Sequence, residues 1–147
     1  MFTLYSTMPA KVKQKPLPTD IVAQIILGEA ANQNLAGLDM VADTLYNRAI
    51  AQKKSLEDVA TSPSQFSAYS RPDLESFYQR QPIYLQNYAT ALVEERRNPK
   101  FQPGHPYQHY VTSELWGNRG KLPKDHWLRN MREVKRVGDH VILEDAR

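Results

Sequence analysis

The stretch IVAQIILGEAA, residues 21–31, decides how this chain folds. Its positions i, i+3, i+4 and i+7 are occupied by Val22, Ile25, Ile26 and Glu29. This spacing places the four side chains on one face of a helix. Thr19-Asp20, directly after Pro18, is typical of a helix N-cap. The pattern therefore predicts an amphipathic helix whose apolar face ends at a carboxylate.

Three further helices are predicted downstream. Apolar residues at the 3.6-residue period predict a helix from about Leu38 to Lys53. The S-x-x-D pattern at residues 55–58 predicts a cap followed by a short helix. Residues 61–72 are predicted to be an ordered loop, and residues 82–97 a fourth helix that has a proline in its first turn.

The C-terminal third is predicted to be turn-rich with some strand. Four prolines or glycines predict a loop over residues 99–106, and residues 107–112 are expected to be extended. Residues 134–137 and 140–143 flank Gly138-Asp139, which is a weak signal for a β-hairpin. The fold class is therefore α+β, mainly helical, with a small β element near the C-terminus. Residues 1–18 are expected to be a lead-in, and residues 19–147 one domain.

Composition excludes several classes of protein. The 147 residues contain no cysteine, which excludes a disulfide scaffold, a Cys-ligated zinc site and a thiol nucleophile. Apolar residues make up 41%, and no apolar run is long enough for a membrane helix, so stable membrane insertion is not expected. The net charge of +3 is a mild basic bias that suits an anionic partner without choosing one. Residues 1–8 are too short and polar for a secretory signal, which predicts synthesis in the cytoplasm.

Glu29 is the most informative candidate for chemistry. A carboxyl group at the end of an apolar face is removed from water, and this disfavours its charged form. A Glu that is kept protonated is what a general acid requires. Gly28 beside it would permit close approach of another backbone or a ligand. The alternative is a Glu at a frayed helix end, in water or paired with Arg48.

Other polar residues are ambiguous when read alone. The loop Gln65-Phe66-Ser67 could bind sugar hydroxyls or amides through its Gln, but a turn whose Phe66 fills the core is the favoured interpretation. Asn47-Arg48, at the end of an apolar stripe, is interpreted as a structural anchor or solvated surface. The basic stretch of residues 129–136 includes an acid and is interpreted as a solvated face, so no nucleic-acid partner is expected.

The sequence contains none of the common motifs for metal binding, a serine nucleophile or nucleotide binding. The four histidines, His105, His109, His126 and His140, form no H-E-x-x-H motif, and Pro106 disfavours a helix that would align His105 with His109. No metal site or cofactor is predicted. The chain has no G-x-S-x-G elbow, no Walker A loop and no G-x-G-x-x-G.

Several short motifs together carry a resemblance that none carries alone. They occur in the order Gly28-Glu29-Ala30, Val41 through Asn47-Arg48, Gln65-Phe66-Ser67, His109-Tyr110-Val111-Thr112, Pro123 to Trp127, and Val137 to Val141. This series resembles the SleB-like cell-wall hydrolases, typified by spore-cortex-lytic enzymes and including phage endolysins. The resemblance spans about residues 19–144.

The resemblance implies a lysozyme-like, lytic-transglycosylase-like domain that acts on bacterial peptidoglycan. The bond cut would join N-acetylmuramic acid to N-acetylglucosamine. Glu29 matches the family's catalytic Glu. The matching positions implied to bind substrate are Gln65, Phe66, Ser67, His109, Tyr110, Trp127 and His140.

Two departures bear on the biological role. Relatives often carry a second His after the aromatic residue near His109, whereas this chain has Val111 after Tyr110. The chain also shows neither a cell-wall-binding module nor a signal peptide. A monomeric phage endolysin, released through a holin to act on the wall from the periplasm, is therefore expected rather than a secreted spore enzyme.

The number of catalytic carboxylates separates two mechanisms. A glycoside hydrolase of the usual type needs two carboxylates, and the candidates for a second are Asp39, Asp43, Asp73 and Glu114. None has a spacing that supports it, so one carboxylate and a lytic transglycosylase are favoured over a hydrolytic muramidase. The rival of another class is a binding module without activity, for peptidoglycan or nucleic acid; a metal-dependent amidase or peptidase is a third option.

Overall fold

A computed structural model describes residues 20–146, and the predicted lead-in of residues 1–18 lies outside them. The described residues form six helices and three strands, and the first strand precedes the last helix in the chain. The helices are α1 (Ile21–Ala30), α2 (Leu35–Gln52), α3 (Leu56–Thr61), α4 (Leu74–Gln79), α5 (Ile83–Arg96) and α6 (Ser113–Gly117). The strands are β1 (His109–Thr112), β2 (Met131–Val137) and β3 (His140–Asp145). Short 3₁₀ turns occupy Ser67–Ser70, Arg119–Lys121 and Trp127–Asn130. No helix among residues 20–146 is both long and apolar enough to cross a membrane.

Helix α1 lies at the centre of the helical layer. The predicted cap is confirmed, because the Asp20 carboxylate accepts a hydrogen bond from the Val22 amide at 2.8 Å. The predicted amphipathic character is wrong, since all six residues from Val22 to Leu27 are buried. Helices α2, α3, α4 and α5 all pack against α1 and cover it on several sides. A helix that is apolar all round is a core helix.

The other predicted helices are confirmed with shifted bounds. Helix α2 begins three residues before the predicted Leu38, because Asn34 caps it by accepting from the Gly37 amide. Ser55 caps α3 by accepting from the Asp58 amide at 3.0 Å. Helices α4 and α6, of six and five residues, were not predicted because they are too short to show a period.

The sheet has the order β1-β3-β2, and both pairings are antiparallel. The predicted hairpin is confirmed: Gly138 has φ of +58°, the left-handed conformation that glycine adopts without strain, between β2 and β3. Side chains of β3 alternate between the two faces. Ile142 therefore joins the helical core, whereas Val141 and Leu143 join a smaller core on the other face of the sheet.

The basic stretch of residues 129–136 is a solvated face, as predicted. Most of it forms β2, whose Arg132 pairs with Glu144 and whose Arg136 pairs with Glu133 at the surface. Such exposed pairs contribute little to stability.

Candidate active site

Three hydrogen-bond donors converge on the Glu29 carboxylate. Oε2 accepts from the Ala68 amide at 2.8 Å and from the Ser67 hydroxyl at 3.1 Å. Oε1 accepts from the Tyr110 hydroxyl at 2.5 Å. The predicted apolar environment is therefore wrong: Glu29 is half-buried and its carboxylate is surrounded by polar donors. The prediction placed Glu29 on an apolar face, but that face turns out to be covered by a polar turn.

Gly28 lets that turn approach α1. A Cβ atom at position 28 would lie 2.7 Å from the Cβ of Ala68 and 2.9 Å from the side chain of Leu74. No real Cβ tolerates such contacts, so any other residue would push the turn outward. The predicted close approach at Gly28 is thus confirmed, and its consequence is that Ser67 and Ala68 reach the carboxylate of Glu29.

The register of the sheet places the Tyr110 side chain next to Glu29. In β1, Tyr110 pairs directly with Ile142, whose side chain enters the helical core. Directly paired residues share a face, so the Tyr110 side chain also points toward α1. Burial and the adjacent Glu29 carboxylate raise the pKa of Tyr110 well above its ordinary value. The phenol therefore remains protonated at neutral pH and donates to Glu29.

Replacing Tyr110 by Phe is expected to lower the activity that depends on Glu29 by roughly 10–100-fold. A hydrogen bond to a charged group is worth about 1.5–3 kcal/mol, and the variant removes one from the carboxylate. Tyr88→Phe is the matched control, because Tyr88 donates to Asp39 at 2.8 Å outside this site. Initial rates and thermal unfolding would be measured for both variants. Equal rates for Tyr110→Phe and wild type would contradict the role of the phenol.

Arg48 also lines the site, although the sequence alone interpreted it as a structural anchor or solvated surface. Its Nε donates to the Gln108 carbonyl at 2.6 Å, and its Nη1 donates to the Gln65 carbonyl at 2.8 Å. Its guanidinium lies 4.8 Å from the centroid of the Phe66 ring. Burial lowers the pKa of Arg48 and the nearby Glu29 raises it, and the guanidinium remains positive at neutral pH. Arg48 thus joins two walls of the site, and no ion pair with Glu29 forms among the described residues.

Three depressions that share lining residues form one groove at the Glu29 carboxylate. The first, of about 510 Å³, contains Glu29, Ser67, Tyr110 and His140. It shares Arg48, Ser64, Gln65 and Tyr110 with the second depression, which shares His109 and Trp127 with the third. The third ends at Asn130, Met131 and Asp145. An open groove lined by both polar and apolar side chains suits a polymer of sugars, whose rings carry hydroxyl groups and apolar faces.

The structure brings together seven of the eight residues that the resemblance implied. Those that line the groove are Glu29, Gln65, Ser67, His109, Tyr110, Trp127 and His140. Phe66 does not: it is 4% exposed and belongs to the helical core. Phe66 therefore fills the core, which is the interpretation that its local sequence favoured, and the guanidinium of Arg48 lies over its ring.

His140 lies beside the Glu29 carboxylate. It is 8% exposed, and its ring meets the edge of the Tyr110 ring at a centroid distance of 5.0 Å. Burial lowers the pKa of His140, although the charge of Glu29 opposes this effect. Burial and the charge of Arg48 also lower the pKa of His109. Both imidazoles are consequently neutral near pH 7.

The four candidates for a second carboxylate all lie elsewhere. Asp43 is buried and bonds Arg96 at 2.6 Å, and Asp39 accepts from Tyr88. Asp73 pairs with Arg71, and Glu114 is exposed in α6. Within residues 20–146, the depression around Glu29 is lined by no other carboxylate.

A second cavity of about 550 Å³ is of similar size, so size alone does not identify the site. It lies between α2, α5 and the loop before β1, and its Asp43 carboxylate pairs with the Arg96 guanidinium at 2.6 Å. The carboxylate of Glu29, in contrast, has no ion-pair partner among residues 20–146 and accepts only from neutral donors. Nor do the described residues contain a group of three or more side chains that could hold a metal ion. The Glu29 carboxylate and its donors therefore identify the groove as the candidate active site.

Comparison with known proteins establishes the fold. No protein-family model matches the chain, and no curated protein sequence is detectably similar to it. The catalytic domain of the Bacillus cereus SleB protein superposes with a TM-score of 0.58 at 14% identity, over 92% of this chain and 100% of that domain. The catalytic domain of the germination-specific lytic transglycosylase SleB from Bacillus anthracis gives 0.58 at 18% identity, over 93% and 100%. The predicted mainly helical fold with a small C-terminal sheet is thereby confirmed as that of the SleB catalytic domains.

Proposed function

We propose that this protein cleaves the glycan strand of bacterial peptidoglycan between N-acetylmuramic acid and N-acetylglucosamine, with Glu29 as the one general acid and base. The observation that carries the proposal is the Glu29 carboxylate, which three donors hold in the groove. Among residues 20–146, no second carboxylate lines the depression around it. The likeness to the SleB catalytic domains supports the substrate class.

The reaction begins with Glu29 protonated. Its proton passes to the oxygen that bridges the two sugars, the bond from that oxygen to C1 of the muramyl residue breaks, and positive charge develops at C1. The carboxylate left on Glu29 then accepts hydrogen bonds from Ser67, Ala68 and Tyr110. The positive charge of Arg48 in the same depression stabilises this ionised form.

The C6 hydroxyl of the muramyl residue completes the reaction. Glu29 removes its proton, the C6 oxygen bonds to C1, and a 1,6-anhydro ring closes with Glu29 protonated again. Because the hydroxyl belongs to the substrate, it has the advantage of an intramolecular nucleophile, which reaches ~10⁵–10⁸ M in effective concentration. A hydrolase would instead need a second carboxylate to position water.

Purified sacculi offer the direct test of the activity. The protein is expected to solubilise them and to release glycan fragments without new amino groups, at the same rate in the presence of a chelator. New amino groups would indicate an amidase or peptidase. Binding without solubilisation would indicate a binding module. Either result would contradict the proposal.

The roles of phage endolysin and of holin-dependent release stay predictions from the sequence, as do the monomeric state and action in the periplasm. A lysis assay addresses the endolysin role separately, and the mass of the protein in solution addresses the monomeric state, because the chemistry of the groove is the same for a free endolysin and for any other enzyme of this class.

A further inference from the structure

The turn that follows α3 holds one residue in an unfavourable backbone conformation. The Gln65 amide donates to the Ser62 carbonyl at 3.3 Å, which closes a four-residue turn with Pro63 and Ser64 at its centre. Ser64 has φ of +64°. Because the proline ring fixes a negative φ at position 63, only the second central residue has a positive φ, which is the pattern of a type II turn. This position favours glycine, since a Cβ atom is crowded by the backbone there.

No contact within the turn accounts for a serine at this position. The Ser64 side chain is exposed, and within residues 20–146 its hydroxyl takes part in no hydrogen bond. The folded state therefore carries the strain of a positive φ without a stabilising contact of the same side chain. Uncompensated strain of this kind clusters at sites that bind ligands.

Ser64 lies where the groove passes from the Glu29 depression to the next one. It is one of four residues that line both the first and the second depression, together with Arg48, Gln65 and Tyr110. Arg48 donates to the Gln65 carbonyl and Tyr110 donates to Glu29, so these groups are engaged within the protein. The Ser64 hydroxyl, in contrast, can both donate to a ligand and accept from it.

We propose that Ser64 is a substrate-binding residue, whose hydroxyl bonds a hydroxyl or N-acetyl group of the sugar at the junction of the first and second depressions. The inference rests on the proposed function. Strain and binding then oppose each other at one position. Removal of the side chain should stabilise the protein and weaken its activity at the same time, a combination that a purely structural serine would not produce.

Two substitutions separate the hydroxyl from the backbone. Ser64→Gly removes both the hydroxyl and the strain, whereas Ser64→Ala removes the hydroxyl and keeps the strain. Lys53→Gly is the matched control: Lys53 is the other non-glycine residue of positive φ among residues 20–146, at +56°, and it lines none of the three depressions. Thermal unfolding is measured for each variant, together with the initial rate of fragment release from sacculi at concentrations low enough to report kcat/KM.

Both Ser64 variants are expected to lower kcat/KM by roughly 3–10-fold, the effect of losing one hydrogen bond between neutral groups. Ser64→Gly and Lys53→Gly should each raise the unfolding temperature by about 2–4 °C, because glycine relieves the strain. Ser64→Ala should not raise the unfolding temperature, and Lys53→Gly should leave kcat/KM unchanged.

Three results would overturn the inference while leaving Glu29 in its role. Wild-type rates in both Ser64 variants would show that the hydroxyl does not bind substrate. A loss of rate in Ser64→Gly alone would trace the effect to the added freedom of the chain. An unfolding temperature that does not rise in Ser64→Gly would remove the strain. If the wild-type protein releases no fragments from sacculi, the proposed function fails and the inference fails with it.

Discussion

Replacing Glu29 by Gln is expected to lower the rate of strand cleavage by about 10²–10⁴-fold, the usual loss when a general acid and base is removed. Gln keeps the shape of the side chain and an oxygen that can accept from Ser67 and Ala68, but it has no proton to transfer. Folding should therefore be preserved. Release of soluble fragments from sacculi measures the rate, and thermal unfolding measures the fold.

Glu114→Gln is the matched control for this variant. Glu114 is exposed in the first turn of α6 and lines none of the three depressions. We expect it to retain wild-type activity. A Glu29→Gln protein that solubilises sacculi at a rate close to wild type would remove Glu29 from the mechanism.

Replacing Asp43 by Asn is expected to destabilise the fold by about 3–5 kcal/mol, because it removes the buried charge that faces Arg96 and leaves that guanidinium only the exposed carboxylate of Glu95. The side chains of Asp43 and Arg96 are 7% and 5% exposed, and Asp43 also accepts from the Gly104 amide at 3.1 Å. Urea unfolding measures the loss. Activity per folded molecule should be unchanged, since the pair lies outside the groove.

Asp73→Asn provides the comparison for an exposed pair. The Asp73 side chain is 42% exposed where it meets Arg71, so water screens the interaction and the stability should change little. Equal losses for Asp43→Asn and Asp73→Asn would show that burial of the pair has no energetic consequence. Loss of activity in folded Asp43→Asn would return this residue to the list of catalytic carboxylates.

The parts of the fold that could be predicted are those specified by local sequence. The caps at Asp20 and Ser55 depend on residues two or three positions away, and both were found. The period of apolar residues identified α2, and the proline at the start of residues 82–97 indicated α5, for the same reason. Helices α4 and α6 were missed because one or two turns give no period to detect.

The site was only partly predictable because its contacts are long-range. Glu29 was found from its motif, but its donors Ser67 and Tyr110 lie 38 and 81 residues further along the chain. No local pattern could show that a polar turn covers the end of α1. Arg48 was interpreted as an anchor or as solvated surface. It is an anchor, but one that bonds carbonyl groups 17 and 60 residues away and lines the groove.

The measurement that tests the central claim most directly is the mass of the new muramyl end after digestion of sacculi. If Glu29 acts without a second carboxylate, the C6 hydroxyl closes the ring. The released muropeptides should then end in 1,6-anhydro-muramic acid, about 18 Da lighter than the hydrolytic product through the loss of one water. Reducing muramic acid as the dominant end would contradict the account and indicate a two-carboxylate muramidase.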